Sequence, residues 1–200
     1  MNAALIRQLI RDTLNGNVPT LVVLIGSNGA GKSTFHELNL APSGLPFVNA
    51  DNIARSLAGN FAAITDEHSK VAMFHADALR RQYVAEKQSF IMETVLSDPH
   101  GAKLEFMREA IAAGFFLLVI HIRLDNPSTS IARVSERVEQ GGHDVPDEKL
   151  HARFPRTARN AAVAVAMADL ALVFDNSVVG KSFQWLETWK NGTCVDRAAP

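Results

Sequence analysis

One stretch constrains this chain more than any other: Leu21-Val22-Val23-Leu24-Ile25-Gly26-Ser27-Asn28-Gly29-Ala30-Gly31-Lys32-Ser33-Thr34. A short apolar run ends in a glycine-rich turn, and the turn opens into a predicted helix. Gly26 through Ser33 satisfy G-x-x-x-x-G-K-[ST] at every fixed position, and the strand before and helix after are the context that pattern requires. Gly26, Gly29 and Gly31 are expected to take positive φ and let the backbone approach a ligand closely. Consecutive N–H groups and the positive end of the helix dipole would then face a phosphate. Lys32 supplies a mobile charge for the β- and γ-phosphates, and the Ser33 hydroxyl a ligand for Mg²⁺. The stretch Gly26–Thr34 thus predicts binding of a nucleoside triphosphate.

Two hundred residues suit one domain, 1–200, with a real core. Twenty basic against twenty-one acidic side chains leave a formal charge of −1, which argues against a nucleic-acid partner held by bulk positive field. A single cysteine, Cys194, rules out an internal disulfide framework and suits a reducing compartment. Met1-Asn2-Ala3-Ala4 shows no signal-peptide pattern. The longest apolar stretches are too short for a membrane or carry Asp169. The expectation is a cytoplasmic protein with neither membrane nor nucleic-acid partner.

Strand and helix patterns alternate along the chain. Residues 3–15 form an amphipathic helix, 20–25 a strand apolar on both faces, and a helix starting at Gly31 or Lys32 stops by Ala41-Pro42. Phe47-Val48-Asn49 is a short strand. Residues 52–58 and Thr65–Lys87 read as helices, the second with Val71, Phe74, Ala78, Leu79 and Val84 as its apolar stripe. Ser89–Met92, Phe115–Ile122 and Leu170–Phe174 are strands, and Gly101–Ala113 is a helix between two of them. Asp125-Asn126-Pro127 caps a helix from about Ser128 to Gln140. Gly141-Gly142-His143-Asp144-Val145-Pro146 breaks it with a flexible turn. The next helix runs from Asp147 to Met167, and Pro155 should kink it. Phe183, Trp185 and Trp189 alternate on a last strand, and Asn191-Gly192 turns a hairpin into Thr193-Cys194-Val195. The fold class is α/β: a P-loop NTPase with a mostly parallel sheet, helices on both faces, a helical lid at about 128–160 and a C-terminal β-hairpin.

Ligands in such sheets bind beyond the carboxyl ends of the strands. That rule gathers the phosphate loop, Asp51, Glu93-Thr94, Arg123-Leu124-Asp125 and Asp175-Asn176-Ser177 on one rim. Asp51 could accept a proton from an attacking hydroxyl, or could cap the helix at 52–58. Glu93 and Thr94 could hold an acceptor, order a magnesium-bound water, or bond loop amides. Arg133, Arg137, Arg153, Arg156 and Arg159 crowd two helices that could close over a nucleotide, where a planar guanidinium can bridge phosphoryl oxygens. The alternative is helix-surface arginines paired with Glu136, Glu139 or Glu148. His143 could touch a phosphate or shape its turn. No histidine or cysteine spacing supports zinc. A nucleotide-hydrolysing switch is the competing function, against which no N-K-x-D motif is present.

The set Gly29-Ala30-Gly31-Lys32-Ser33-Thr34, Asn49-Ala50-Asp51, Phe90-Ile91-Met92-Glu93-Thr94, Arg133-Val134-x-x-Arg137-Val138 and Gly141-Gly142-His143-x-Val145-Pro146 resembles the zeta toxin family of P-loop kinases, from about Leu21 to Ser177. The resemblance implies transfer of phosphate from ATP or GTP, with Mg²⁺, to a hydroxyl of a small molecule such as a UDP-N-acetyl amino sugar. An antitoxin protein is the implied partner. Asp51 would be the base, with Lys32 and Ser33 on the phosphates and metal. Arg137 with Arg153 or Arg156 would steady the transferred group. Arg133 and Asn176 would lie on the nucleotide side, and Asn49, Glu93, Thr94 and Arg156 on the acceptor side. The long additions of larger family members are not found in this sequence, so the sugar-binding part is where a difference from the family is to be looked for.

Overall fold

The structure, a computed structural model, describes residues 3–142 and 145–199. Strands β1 (Thr20–Ile25), β2 (Phe47–Val48), β3 (Phe90–Thr94), β4 (Phe116–Arg123) and β5 (Leu170–Asp175) are all parallel. β6 (Gln184–Lys190) and β7 (Thr193–Arg197) add to the β5 edge antiparallel, giving the order β2-β3-β1-β4-β5-β6-β7. β1 is central, and its side chains divide by the two-residue period of a strand. Leu21, Val23 and Ile25 enter one core layer, whereas Val22 and Leu24 enter the other. A strand covered on both faces needs such a continuous apolar run.

On the Val22/Leu24 side lie α1 (Ala3–Leu14), which buries Ile10, and α2 (Lys32–Phe35). The opposite layer receives α4 (Asp66–Ala85), α5 (Ala102–Ala112) and the second half of α7 (Asp147–Met167). α3 (Ala50–Ala58) follows β2, and α6 (Pro127–Glu139) follows β4. Asn126 caps α6 by accepting from the Thr129 N–H at 2.9 Å, with Pro127 in the first turn where its missing N–H costs nothing. The hairpin between β6 and β7 turns at Asn191 (φ 47°) and Gly192 (φ 74°), the pair of positive angles a two-residue hairpin asks for.

Several expectations need correction. The helix after the glycine turn is regular for Lys32–Phe35 only, then widens to a π turn over His36–Leu40 and tightens to a 3₁₀ turn over Ala41–Ser43. Adjacent aromatics are anchored on different neighbours there: Phe35 packs between Phe174 and Phe183, and His36 stacks on Phe47 at 3.7 Å. In α4 the buried face is Ala72, Ala76 and Arg80, and Leu79 and Val84 of the expected stripe pack half-buried against the same core, while Val71, Phe74 and Ala78 face solvent; small alanines let the first turns of the helix pack closely, and bulk misplaced the stripe there. α7 runs unbroken through Pro155. The missing amide and ring clash cost about 3 kcal/mol or more. Leu150 on one side and Thr157, Ala161 and Ala164 on the other are all buried, and that packing outweighs the local defect. Phe183 precedes β6 and has φ 53°, so it is not part of the alternating strand.

The Gly141-Gly142 turn is a fixed cap. The Gly142 N–H bonds to the Arg137 carbonyl at 2.9 Å and the Gly141 N–H to the Val138 carbonyl at 2.9 Å, with Gly141 at φ 83°. This is the paired closure of a helix end that demands a left-handed residue. A Cβ on Gly142 would stand 2.5 Å from Arg137 Cγ, so the second glycine makes room for that side chain. His143 and Asp144 lie outside the described residues. Among those described, no helix is long and apolar enough to cross a membrane.

Candidate active site

The loop from Gly26 to Gly31 leaves β1 at the carboxyl edge of the sheet. Gly29 (φ 72°) and Gly31 (φ 88°) occupy the left-handed region; Gly26 does not, contrary to expectation. Gly26 is required for a different reason: a Cβ there would meet the Ile122 carbonyl of β4 at 2.6 Å. Behind Gly29 stand the Ser130 carbonyl and Arg133 Cβ, and behind Gly31 the Asn176 amide, each close enough to exclude a side chain. The close approach that the glycines allow is therefore to the protein on the back of the loop.

Three side chains hold the loop from that side. Ser130 Oγ donates to the Asn28 carbonyl at 2.6 Å, Arg133 Nη1 to the Gly29 carbonyl at 3.4 Å, and Asn176 Nδ2 to the Ala30 carbonyl at 2.9 Å. With those carbonyls engaged outward, the Gly29 and Gly31 amides point the other way across their trans peptide units. The open side is a cradle of main-chain N–H groups continuing into the first turn of α2, which fits a phosphate chain. Ser33 and Thr34 are solvent-exposed in that turn.

Lys32 is buried and its Nζ donates to the Ser27 carbonyl at 3.2 Å. It also pairs with Glu93 Oε1 at 3.5 Å, the two side chains being 7% and 10% exposed. The other Glu93 oxygen accepts from Asn49 Nδ2 at 2.8 Å. Asn49 Oδ1 in turn accepts from the amides of Asp51 and Asn52 at 2.8 and 3.1 Å. Asn49, not Asp51, is thus the cap of α3, which begins two residues earlier than expected. Asp51 stands exposed in the first turn, where the helix dipole favours a carboxylate. One continuous network runs from the phosphate-loop lysine through Glu93 and Asn49 to the backbone of Asp51.

Thr94 is buried, and its hydroxyl accepts from the Leu96 N–H at 2.9 Å; Leu96 has φ 55°. Thr94 therefore shapes the loop after β3. α7 grips the same loop: Arg156 Nε donates to the Ser97 carbonyl at 3.0 Å, and Asn160 Nδ2 to the carbonyls of Leu96 and Asp98 at 2.9 and 3.0 Å. Ile131, Val134, Val138, Val145 and Leu150 form a small separate core between α6 and α7, which holds the two helices to each other. Arg137 and Arg153 are half-buried on these helices. Arg133 Nη2 reaches the Ser177 carbonyl at 3.3 Å, joining α6 to the segment after β5. Arg123, by contrast, is exposed at its strand end. Ser130 and Asn160 are the residues sequence reasoning missed. The signal for Ser130 was a small polar residue four positions before Val134 on the buried face of α6.

His121 lies at the carboxyl end of β4, in register with Ile25 and Val173. Burial lowers its pKa to about 4, and the positive charge of Arg123 adds to the effect. The unfolded chain binds that proton near the ordinary value of about 6.5. Above this the ring is neutral in both states and contributes no slope; below it only the unfolded state is protonated. Stability should fall as pH drops from about 6.5 to 4, by about 2–3 kcal/mol once partial solvent contact is allowed for. Thermal midpoints across that range check this, and His121→Gln should flatten the profile.

The model for the zeta toxin family matches residues 4–179. The chain belongs to the zeta toxin family. Its fold is that of P-loop kinases, and it is a phosphotransferase of that kind. Among solved structures, a chain from the AvrRxo1-ORF1:-ORF2 complex with ATP superposes with a TM-score of 0.67 at 17% identity, covering 94% of this chain and 68% of that one. A chain from the PezAT toxin-antitoxin system of Streptococcus pneumoniae superposes with a TM-score of 0.58 at 13% identity, covering 86% and 75%. An uncharacterized protein of Haemophilus influenzae is 25% identical over 132 residues, 64% of this chain and 88% of that protein. Within the zeta toxin family, then, the matched region takes in the loop, Asp51, Glu93, α6 and α7.

Proposed function

We propose that this family member transfers the γ-phosphoryl group of ATP or GTP to a hydroxyl of a small molecule, with UDP-N-acetyl amino sugars the first acceptor class to test. The observation that carries this reading is the network joining Lys32, Glu93, Asn49 and the α3 terminus that bears Asp51. In this reading the γ-phosphate sits at the Lys32 end of the cradle, beside the segments that bear Glu93 and Asp51. The free amides of the loop and of the first turn of α2 hold the β-phosphate, and Lys32 leaves Glu93 to bridge the β- and γ-oxygens. Ser33 is the hydroxyl that would hold Mg²⁺, which supplies charge neutralisation between those oxygens; one protein ligand suits an ion that keeps several waters.

The acceptor hydroxyl attacks the γ-phosphorus, a new O–P bond forms, and the bond to the β,γ-bridging oxygen breaks to release the diphosphate. The acceptor proton passes to Asp51. The Asp51 carboxylate faces solvent and is open to a proton, whereas one Glu93 oxygen stays bonded to Asn49 even when Lys32 turns to the phosphates. Glu93, with Asn49 and Thr94 behind it and Arg156 holding the adjacent loop, forms the acceptor side. Arg137 and Arg153 steady the transferred group as the lid closes, since a planar guanidinium spans two phosphoryl oxygens. Arg133 and Asn176 flank the nucleoside end. A cytoplasmic antitoxin-type protein is the partner proposed, in line with the toxin-antitoxin system named for one similar structure.

The test is to incubate the purified protein with γ-labelled ATP or GTP and a panel of hydroxyl acceptors, UDP-sugars first. Label on one acceptor is the result expected. Release of free phosphate with no labelled acceptor would instead mark a nucleotide-hydrolysing switch.

A further inference from the structure

The three carbonyls held from behind the phosphate loop are consecutive: Asn28, Gly29 and Ala30. In a trans peptide the C=O of one residue and the N–H of the next point opposite ways, so fixing a carbonyl aims the following amide. The Asn28 bond aims the Gly29 N–H, and the Ala30 bond aims the Gly31 N–H. The amide between them is used internally, Ala30 N–H donating to the Ser27 carbonyl at 3.1 Å. Of the three amides that follow these carbonyls, the two left for a ligand are thus the two whose peptide planes are set by Ser130 and Asn176.

Both holding side chains are buried and have their own geometry fixed. Ser130 is 1% exposed on the inner face of α6. Asn176 is 8% exposed, and its Oδ1 accepts from the Phe183 N–H at 3.2 Å, which turns Nδ2 towards Ala30. Phe183 adopts φ 53° there and packs on Phe35 of α2. The clamp is therefore built into the scaffold on both flanks, from α6 on one and from the end of β5 on the other.

We propose that Ser130 and Asn176 are positioning residues that hold the phosphate-loop amides in their binding orientation before a nucleotide arrives. Neither touches the phosphates; each acts through a loop carbonyl. Preorganised amides lose little freedom on binding, so the clamp raises affinity for the phosphate chain itself, independent of base or ribose. The first turns of α6 accordingly belong to the nucleotide site.

The inference rests on the reading of this loop as a triphosphate cradle, and pyrophosphate, which has neither base nor ribose, separates the two. Calorimetry should give measurable pyrophosphate binding to the parent protein and about a tenfold weaker constant for Ser130→Ala, with KM for ATP rising and KM for the acceptor unchanged. Asn176→Leu should weaken pyrophosphate binding similarly, and decides the question if Ser130→Ala does not fold. If the parent binds pyrophosphate and Lys32→Ala loses it, while a folded Ser130→Ala or Asn176→Leu binds it as tightly as the parent, the clamp is overturned and the cradle stands. No pyrophosphate or ADP binding by the folded parent would overturn both.

Discussion

Replacing Asp51 with Asn is expected to slow transfer to the acceptor by roughly 10²–10⁴-fold, the usual worth of a general base, while nucleotide affinity stays close to that of the parent protein. The change is nearly isosteric, and Asp51 meets the rest of the protein through its backbone: its N–H caps onto Asn49, and its carboxylate is exposed. Loss of stability should accordingly be small, limited to a carboxylate leaving the favourable end of a helix. Glu93→Gln supplies the control, because Glu93 is the carboxylate found against Lys32. If steady-state kinetics show Asp51→Asn turning over normally while Glu93→Gln is crippled, the base is Glu93.

Lys32→Met should have an effect of the same order, by two separable routes. Removing the cation that meets developing charge on the γ-phosphoryl group costs about 10²–10³ in kcat, as for other preorganised donors. Removing it also leaves Glu93, 10% exposed, without its ion-pair partner, and an uncompensated buried charge destabilises by about 3–5 kcal/mol. Lys32→Met/Glu93→Gln tells the two apart. Denaturant unfolding should show the double variant recovering most of the lost stability, since no buried charge remains unpaired, whereas phosphoryl transfer should stay lost. Recovery of activity with stability would mean that Lys32 served the fold alone.

Much of this site was legible because its chemistry is local in the chain. The apolar run of β1, the glycine turn and the opening of α2 are consecutive, so one motif located the cradle. Strand alternation then fixed which loops meet at the carboxyl edge, and Asn49, Asp51, Glu93 and Asn176 all arrived there. What the chain did not reveal is how these groups use one another. Asn49 shows two donors and an acceptor to any reader of sequence, yet only the register of β2 beside β3 sets its amide on Glu93, 44 residues away. Ser130 looked like one more polar residue in Ser128-Thr129-Ser130; its burial against the loop depends on where α6 lands.

The helices misled for a similar reason. α4 has large apolar residues at helical spacing, of which Leu79 and Val84 do pack on the core, but its first turns pack through Ala72 and Ala76, and Phe74 is 75% exposed. Close helix packing selects small residues, which a hydrophobicity pattern undervalues. The two glycines after α6 suggested a flexible break, although their hydrogen bonds to Val138 and Arg137 make them a capped helix terminus. Glycine marks positions that need its conformation, and those positions need not move.

The central claim is that the amides near residue 30 grip a triphosphate with Asp51 facing its outer end. A crystal structure with a non-hydrolysable ATP analogue and Mg²⁺ tests it most directly. The Gly29, Gly31 and Lys32 amides should lie within hydrogen-bond distance of the phosphate oxygens, with Lys32 moved from Glu93 onto the γ-phosphate and room for one hydroxyl between that phosphate and Asp51. A triphosphate bound away from this loop, or an Asp51 carboxylate turned from the γ-phosphate with no acceptor-sized gap between them, would contradict it.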